Sequence, residues 1–383
     1  MPAVQDLSGT YDGIQVQLEE ASAPGQMVID GNVFPLVLVY KSSDVSRRDI
    51  TEKFLSEVSS KGIFTTLLQN HGAVLLRGLG DSSGETFSRF VTAVEKSRGS
   101  FPFEQIGLAG KRHAWAENVF TANEGPPKTR FYQHNEYSRF THFPSNIHFF
   151  CHKAAKRGGG GSPIVHSRRL FERVNETIPE FIKELSEKRL VNNQVYPSKT
   201  YATAAIKGNE FYWEGPDTFG QEILETDSIE TKKAKAEKQV RRLTDDFAWQ
   251  EDGSIVVRQH IPAFRENPVT HKPLFFNSFI GGYGTSKDHG ALHPPHIGDN
   301  GGIYYPTTYD TGERIPLDYL ETCLQISREL EFVQKWEDGD LVLLDNYQVS
   351  HGREPWTEGD ERIVLVSMWD RPGPKPKEWK VEV

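Results

Sequence analysis

The chain has 383 residues, 37% of them apolar and 25% charged, with a formal net charge of −9. This balance describes a folded protein with a sizeable core, not a disordered one, and the acidic total argues against nucleic acid or an anionic membrane as the main partner. Cysteine occurs only at Cys151 and Cys323, which excludes a disulfide framework and a cysteine-rich zinc site.

The first residues, MPAVQDLSGTYDG, lack the basic and apolar pattern of a secretory leader, and apolar runs such as LVLVY at 36–40 are too short to span a bilayer. The cytoplasm is the expected compartment, and the sequon Asn175-Glu176-Thr177 is expected to be unused. Phe34–Tyr40 reads as a strand. Ile50–Asn70 has helical periodicity in Phe54, Leu55, Val58, Phe64 and Leu67, interrupted at Gly62. Ala73–Leu79 reads as a buried strand, and Gly84–Arg98 as a helix built on Phe87, Phe90, Val91 and Val94.

Beyond residue 100 the pattern turns to short apolar runs between turn signals: Ser145–Cys151, Ser162–His166, Ser254–Val257, Pro273–Asn277, Asp340–Leu344 and Arg362–Trp369. Such spacing predicts a β-sandwich or barrel. Helices are predicted at Pro179–Arg189, Ser228–Leu243 and Leu317–Leu330. Gly281–Pro306 reads as a long irregular stretch of the kind that forms lids and binding loops. The basic run Lys232–Arg242 reads as a solvated helix face. No internal repeat is present, so the expectation is one mixed α/β, mainly β domain over 1–383, with flanking helices and a helical insertion at about 170–250.

The chemistry concentrates in FYQHNEYSRF. A His and a carboxylate two residues apart on a strand share a face, which pairs His134 with Glu136 and leaves Asn135 pointing away. His-x-Glu recurs by chance in many proteins. Two distant signals give it weight. One is Trp336-Glu337-Asp338-Gly339-Asp340, followed by a strand, Asp345-Asn346 and His351. The other is Arg362, whose guanidinium can grip a carboxylate with two parallel hydrogen bonds. Two imidazoles and one carboxylate with open positions form the ligand set of non-haem Fe(II) oxygenases. A zinc hydrolase uses similar ligands, and a non-catalytic metal- or small-molecule-binding protein is a further alternative.

These signals, in this order, resemble the taurine dioxygenase/clavaminate synthase-like family of Fe(II)- and 2-oxoglutarate-dependent oxygenases. Phe34-Pro35-Leu36, Gly72–Gly78, Gly160-Gly161-Ser162-Pro163 and Phe276-Asn277 extend the resemblance over roughly 34–371. It implies a double-stranded β-helix (jelly-roll) core, with His134, Glu136 and His351 on iron. It also implies that Arg362 and Ser162 hold the distal carboxylate of 2-oxoglutarate, with O2 as oxidant and a small molecule as substrate. Oxidative decarboxylation would release succinate and CO2, with hydroxylation of a C–H bond as the default outcome; desaturation and ring closure stay open. Two departures inform the choice of substrate. Glu136 stands where Asp is commoner, as in the clavaminate synthase branch, and its retention speaks against halogenation. Val366 replaces a second arginine that taurine-type enzymes use for sulfonate, which speaks against taurine.

The remaining candidates read as structural. His142, His148, His152 and His166 are expected to be packed or hydrogen-bonded, Gly158–Gly161 to form a turn, and Phe131, Trp115 and Trp369 to be core or pocket wall. Asp345-Asn346 either orient an imidazole or simply close a strand. Asn123-Glu124 and Gly281–His296 are assigned to the substrate side.

Overall fold

The computed structural model describes residues 7–107, 112–122, 125–199 and 212–381. Among them, strands outnumber the eight helices. The largest sheet has ten strands. At its centre Leu341–Asp345 lies between Ala73–Arg77 and Asn146–Lys153, with Ile363–Asp370 beyond. A second sheet orders Phe131–His134, Val349–Arg353, Ser162–His166 and Phe332–Gln334, all antiparallel.

Strand alternation decides which side chains meet. Leu75, Ile147, Val342, Leu344, Val366 and Met368 of the large sheet share one buried cluster with Ile164, Val349 and Phe332 of the second. Their neighbours Val74, Leu76, Leu341, Leu343 and Leu365 turn to the other face, where they pack against helices Arg48–Ser60, Ile63–His71 and Gly84–Ser97 through Phe54, Phe64, Phe87 and Phe90. Each aromatic buried there contributes about 1.5–3 kcal/mol relative to exposure. Beside the second sheet, Tyr132 and Val165 join a third cluster with helices Ser167–Thr177, Pro179–Glu187, Phe279–Asp288 and Leu317–Glu329.

Several expectations change. Ile50–Asn70 is two helices, divided at Gly62, whose φ of 75° is left-handed; the apolar period continues across the break because both helices pack on the same sheet face. Helix Ser167–Thr177 was not anticipated, because Leu170, Phe171 and Val174 are its only large apolar positions among charges. The expected helical insertion at about 170–250 also carries strand. Leu190–Tyr196 pairs with Ile255–Ile261 in a four-stranded sheet completed by Phe247–Trp249 and Thr308–Tyr309. The basic run lies largely on helix Ile229–Val240, with Lys235 on Asp227, Lys238 on Glu222 and Arg242 on Glu104. That is a neutralised, solvated face. No helix among the described residues is long and apolar enough to cross a membrane.

The expected irregular stretch Gly281–Pro306 opens as part of helix Phe279–Asp288. Its glycines hid the helical period while serving the packing. A β-carbon on Gly281 would lie 2.7 Å from the Gln133 carbonyl, and one on Gly284 would lie 2.8 Å from the Tyr132 ring. The helix therefore rests directly on the strand that carries His134.

Candidate metal centre and co-substrate pocket

His134 and His351 are cross-strand partners in the second sheet, so their side chains project from one face as neighbours; their rings lie 4.5 Å apart. Glu136 does not reach them by strand alternation. The strand ends at His134, and Glu136 begins a turn in which Tyr137 has φ 56°. The turn brings Glu136 Oε2 to 3.3 Å from His351 Nε2 and 3.9 Å from His134 Nε2. One ligand atom from each residue lies within 4.8 Å of the others. A metal ion fits at the centre of such a nitrogen and oxygen set.

Protonation states suit that role. His134 Nδ1 lies 2.9 Å from the Tyr132 carbonyl, an acceptor only. The hydrogen therefore sits on Nδ1, and Nε2 keeps its lone pair toward the cluster. Burial, together with the neighbouring His351, lowers the His134 pKa to about 4, so the ring is neutral at pH 7. Burial alone would raise Glu136. The charge of Arg112, with the hydrogen bond and charge of His351, outweighs it and holds the carboxyl well below the usual range. Arg112 was missed in the sequence, where nothing sets it apart. Its Nη2 donates to Glu136 Oε1 at 2.8 Å, so one carboxylate oxygen faces the arginine and the other faces the histidines.

Backbone clamps fix the motif. Asn135 points away from the histidines, as expected, and donates to the Asn346 carbonyl at 2.8 Å. Asn346 in turn accepts from the Glu136 N–H at 2.7 Å and donates to the Glu136 carbonyl at 3.0 Å. Asn346 therefore positions the carboxylate ligand rather than an imidazole. Its neighbour Asp345 pairs with Arg371.

Arg362 and Ser162, two hundred residues apart in sequence, meet in space. Arg362 Nη2 donates to Ser162 Oγ at 3.3 Å and its Nε to the Gly160 carbonyl at 2.5 Å. A β-carbon on Gly160 would come within 2.8 Å of the Arg362 side chain, so the glycine run shapes the arginine's bed. Among the described residues no acid pairs with Arg362. Burial pushes its pKa down to about 10, leaving it a cation at pH 7. Trp336 Nε1 donates to Ser162 Oγ at 3.0 Å, and the turn after Trp336 is anchored by Arg77, whose guanidinium takes both oxygens of Asp340 at 2.9 and 2.7 Å. A pocket of about 370 Å³ has both His351 and Ser162 in its walls, with Phe149, Ile164 and Trp336.

The other histidines are structural. His148 Nε2 lies 2.7 Å from Glu95 in full burial, and His166 caps helix Ser167–Thr177 by accepting from the Arg168 N–H. His142 and His152 bond to the carbonyls of Glu104 and Ser82. Trp369 is core, Phe131 is partly buried and stacks on Arg353, and Trp115 is 39% exposed beside His152. Asn123-Glu124 lies outside the described residues.

Residues 42–369 match the model of the taurine catabolism dioxygenase TauD, TfdA family. The chain belongs to this family, and it is a metal- and 2-oxoglutarate-dependent dioxygenase. A clavaminate synthase-like protein of Arabidopsis thaliana is 28% identical over 360 residues, covering 92% of this chain and 99% of the relative. The dapdiamide synthesis protein DdaC of Enterobacter agglomerans is 26% identical over 349 residues, covering 91% and 97%. A taurine dioxygenase structure from Burkholderia xenovorans aligns over 92% of this chain and 91% of its own, at TM-score 0.46 and 13% identity.

Proposed function

We propose that the chain binds Fe(II) on His134, Glu136 and His351 and hydroxylates a C–H bond of a small molecule, consuming O2 and 2-oxoglutarate. The observation that carries this reading is a compact His-Glu-His cluster whose His351 shares a pocket with Ser162, the hydroxyl that Arg362 contacts. Arg362, with Ser162 beside it, offers the distal carboxylate of 2-oxoglutarate two charge-assisted donors. Iron bound there supplies the redox chemistry by which 2-oxoglutarate becomes succinate and CO2 and one oxygen atom reaches the substrate. The protein's part is to keep His134 neutral, to hold Glu136 ionised and fixed in place, and to keep the cluster in a largely apolar setting.

Two facing, mainly antiparallel sheets support a double-stranded β-helix core, and we read 1–383 as one domain. Glu136 as an intact carboxylate favours hydroxylation over halogenation. Val366, buried between the sheets, leaves no sulfonate-binding arginine at that place and favours a substrate other than taurine. Anaerobic addition of Fe(II) and 2-oxoglutarate should give a weak visible charge-transfer band that His134→Ala abolishes. A protein showing neither the band nor 2-oxoglutarate-dependent succinate would refute the proposal.

A further inference from the structure

A second pocket, of about 630 Å³ and partly open to solvent, lies where strand Leu190–Tyr196 meets helix Phe279–Asp288. That volume includes space open to solvent, so it sets only an upper bound on a ligand's size. The chain carries a net charge of −9, yet among the described residues this pocket's walls include Arg139 and Arg314 and no Asp or Glu. Neither arginine forms an ion pair among the described residues. Arg139 makes one long hydrogen bond, 3.4 Å to Gln194 Oε1, and Arg314 donates to the Leu292 carbonyl at 2.6 Å. Arg139 is open to solvent, but the protein around it desolvates its guanidinium and pulls its pKa below the ordinary arginine value. A cation with no acid partner among the described residues gains from an anion that enters the pocket.

Two wall residues are tied through the chain to the metal motif. Arg139 follows Glu136 by one short turn, and its charge contributes to keeping His134 neutral. The wall residue Ser278 directly follows Asn277, whose carbonyl accepts the Asn135 N–H at 3.3 Å. Phe279, Leu292, Ile315 and Leu320 supply apolar wall, against which a carbon skeleton can lie.

We propose that this pocket receives the prime substrate and selects a small organic acid, its carboxylate bound by Arg139 and its apolar body directed along the wall shared with Arg314. The assignment rests on the oxygenase reading for the fate of the ligand, but not for its binding. A carboxylate matches the guanidinium fork with two parallel hydrogen bonds, and the corresponding amide forfeits the charge.

The test uses four acids as probes, hexanoate, adipate, phenylacetate and N-acetyl-leucine, each beside its amide. Thermal shift and calorimetry follow their binding to the full chain, with and without Mn(II) and 2-oxoglutarate. At least one acid should bind saturably, and its amide more weakly by roughly tenfold or more. Arg139→Gln should weaken that acid by roughly 10–100-fold and leave the amide unchanged. Arg362→Gln should leave the acid titration intact while raising the 2-oxoglutarate requirement. Acids and amides binding alike, no acid binding at all, or an unaltered acid titration in Arg139→Gln would each overturn the proposal. Selective acid binding in a protein without 2-oxoglutarate turnover would instead sink the oxygenase reading and leave this pocket's assignment standing.

Discussion

The pocket that contains His351 and the pocket that contains Arg139 are built from different materials. The one reaching Ser162 lies among strands of both sheets, and its walls are mostly apolar side chains fixed by cross-strand pairing. The one reaching Arg139 is walled by parts of two helices, one strand and the segment between the helices. A mostly apolar pocket held by strand pairing suits a co-substrate that never changes. A pocket of loops and mixed polarity suits the part of the reaction that distinguishes one enzyme from another.

The contrast can be broken from the strand side first. His351→Ala should remove essentially all succinate formation together with metal retention, measured by metal analysis after desalting. Glu95→Ala tests the rigidity of the large sheet, because it strips the buried partner from His148 and Asn146. Loss of one member of such a set costs about 3–5 kcal/mol, read as a lower denaturation midpoint with an unchanged slope. The same carboxylate gives a pH dependence. Burial opposes its ionisation, but His148 overrides that and depresses its pKa to about 2 in the folded protein. Its contribution is whole above the unfolded carboxylate value near 4.3 and is lost as pH falls from there through about 2. The acid limb of the wild-type stability profile should therefore flatten in Glu95→Ala.

Arg362→Ala should raise the 2-oxoglutarate concentration for half-maximal rate by roughly 10–100-fold, since two charge-assisted donors are lost, and Arg362→Lys should restore part of that. Arg112→Ala sharpens the comparison from the other side. Freed of its partner, Glu136 loses orientation, and metal affinity should drop by roughly tenfold, within the range expected for residues that position a ligand. An unchanged affinity would show that Arg112 does not position Glu136 for the metal.

The sequence and the fold agree where one period or one spacing suffices. Gly84–Ser97 is legible because four large apolar residues fall on one helical face and Ser83 caps it. His134, Glu136 and His351 cluster, and Arg362 meets Ser162, although Glu136 arrives through a turn rather than a strand. What escaped has a physical cause in each case. Helix Phe279–Asp288 reads as loop because close contact with Tyr132 and Gln133 demands glycine. Leu190–Tyr196 alternates too weakly to read as a strand, since its middle residues are only half-buried. Arg112 and Arg139 carry no local signature; their meaning comes from distant neighbours, Glu136 in one case and a pocket wall in the other.

Asn346 binds both ends of the Glu136 peptide region and stands just before the strand that presents His351. It is a surveying peg: one buried amide sets the spacing between ligands that the chain supplies 215 residues apart. A site measured out in this way exists before any ion arrives. Metal capture is then occupation of a finished socket, with no folding step attached. Chelation should silence the enzyme and leave its circular dichroism unaltered, and re-addition of Fe(II) should restore turnover at the pace of ion binding.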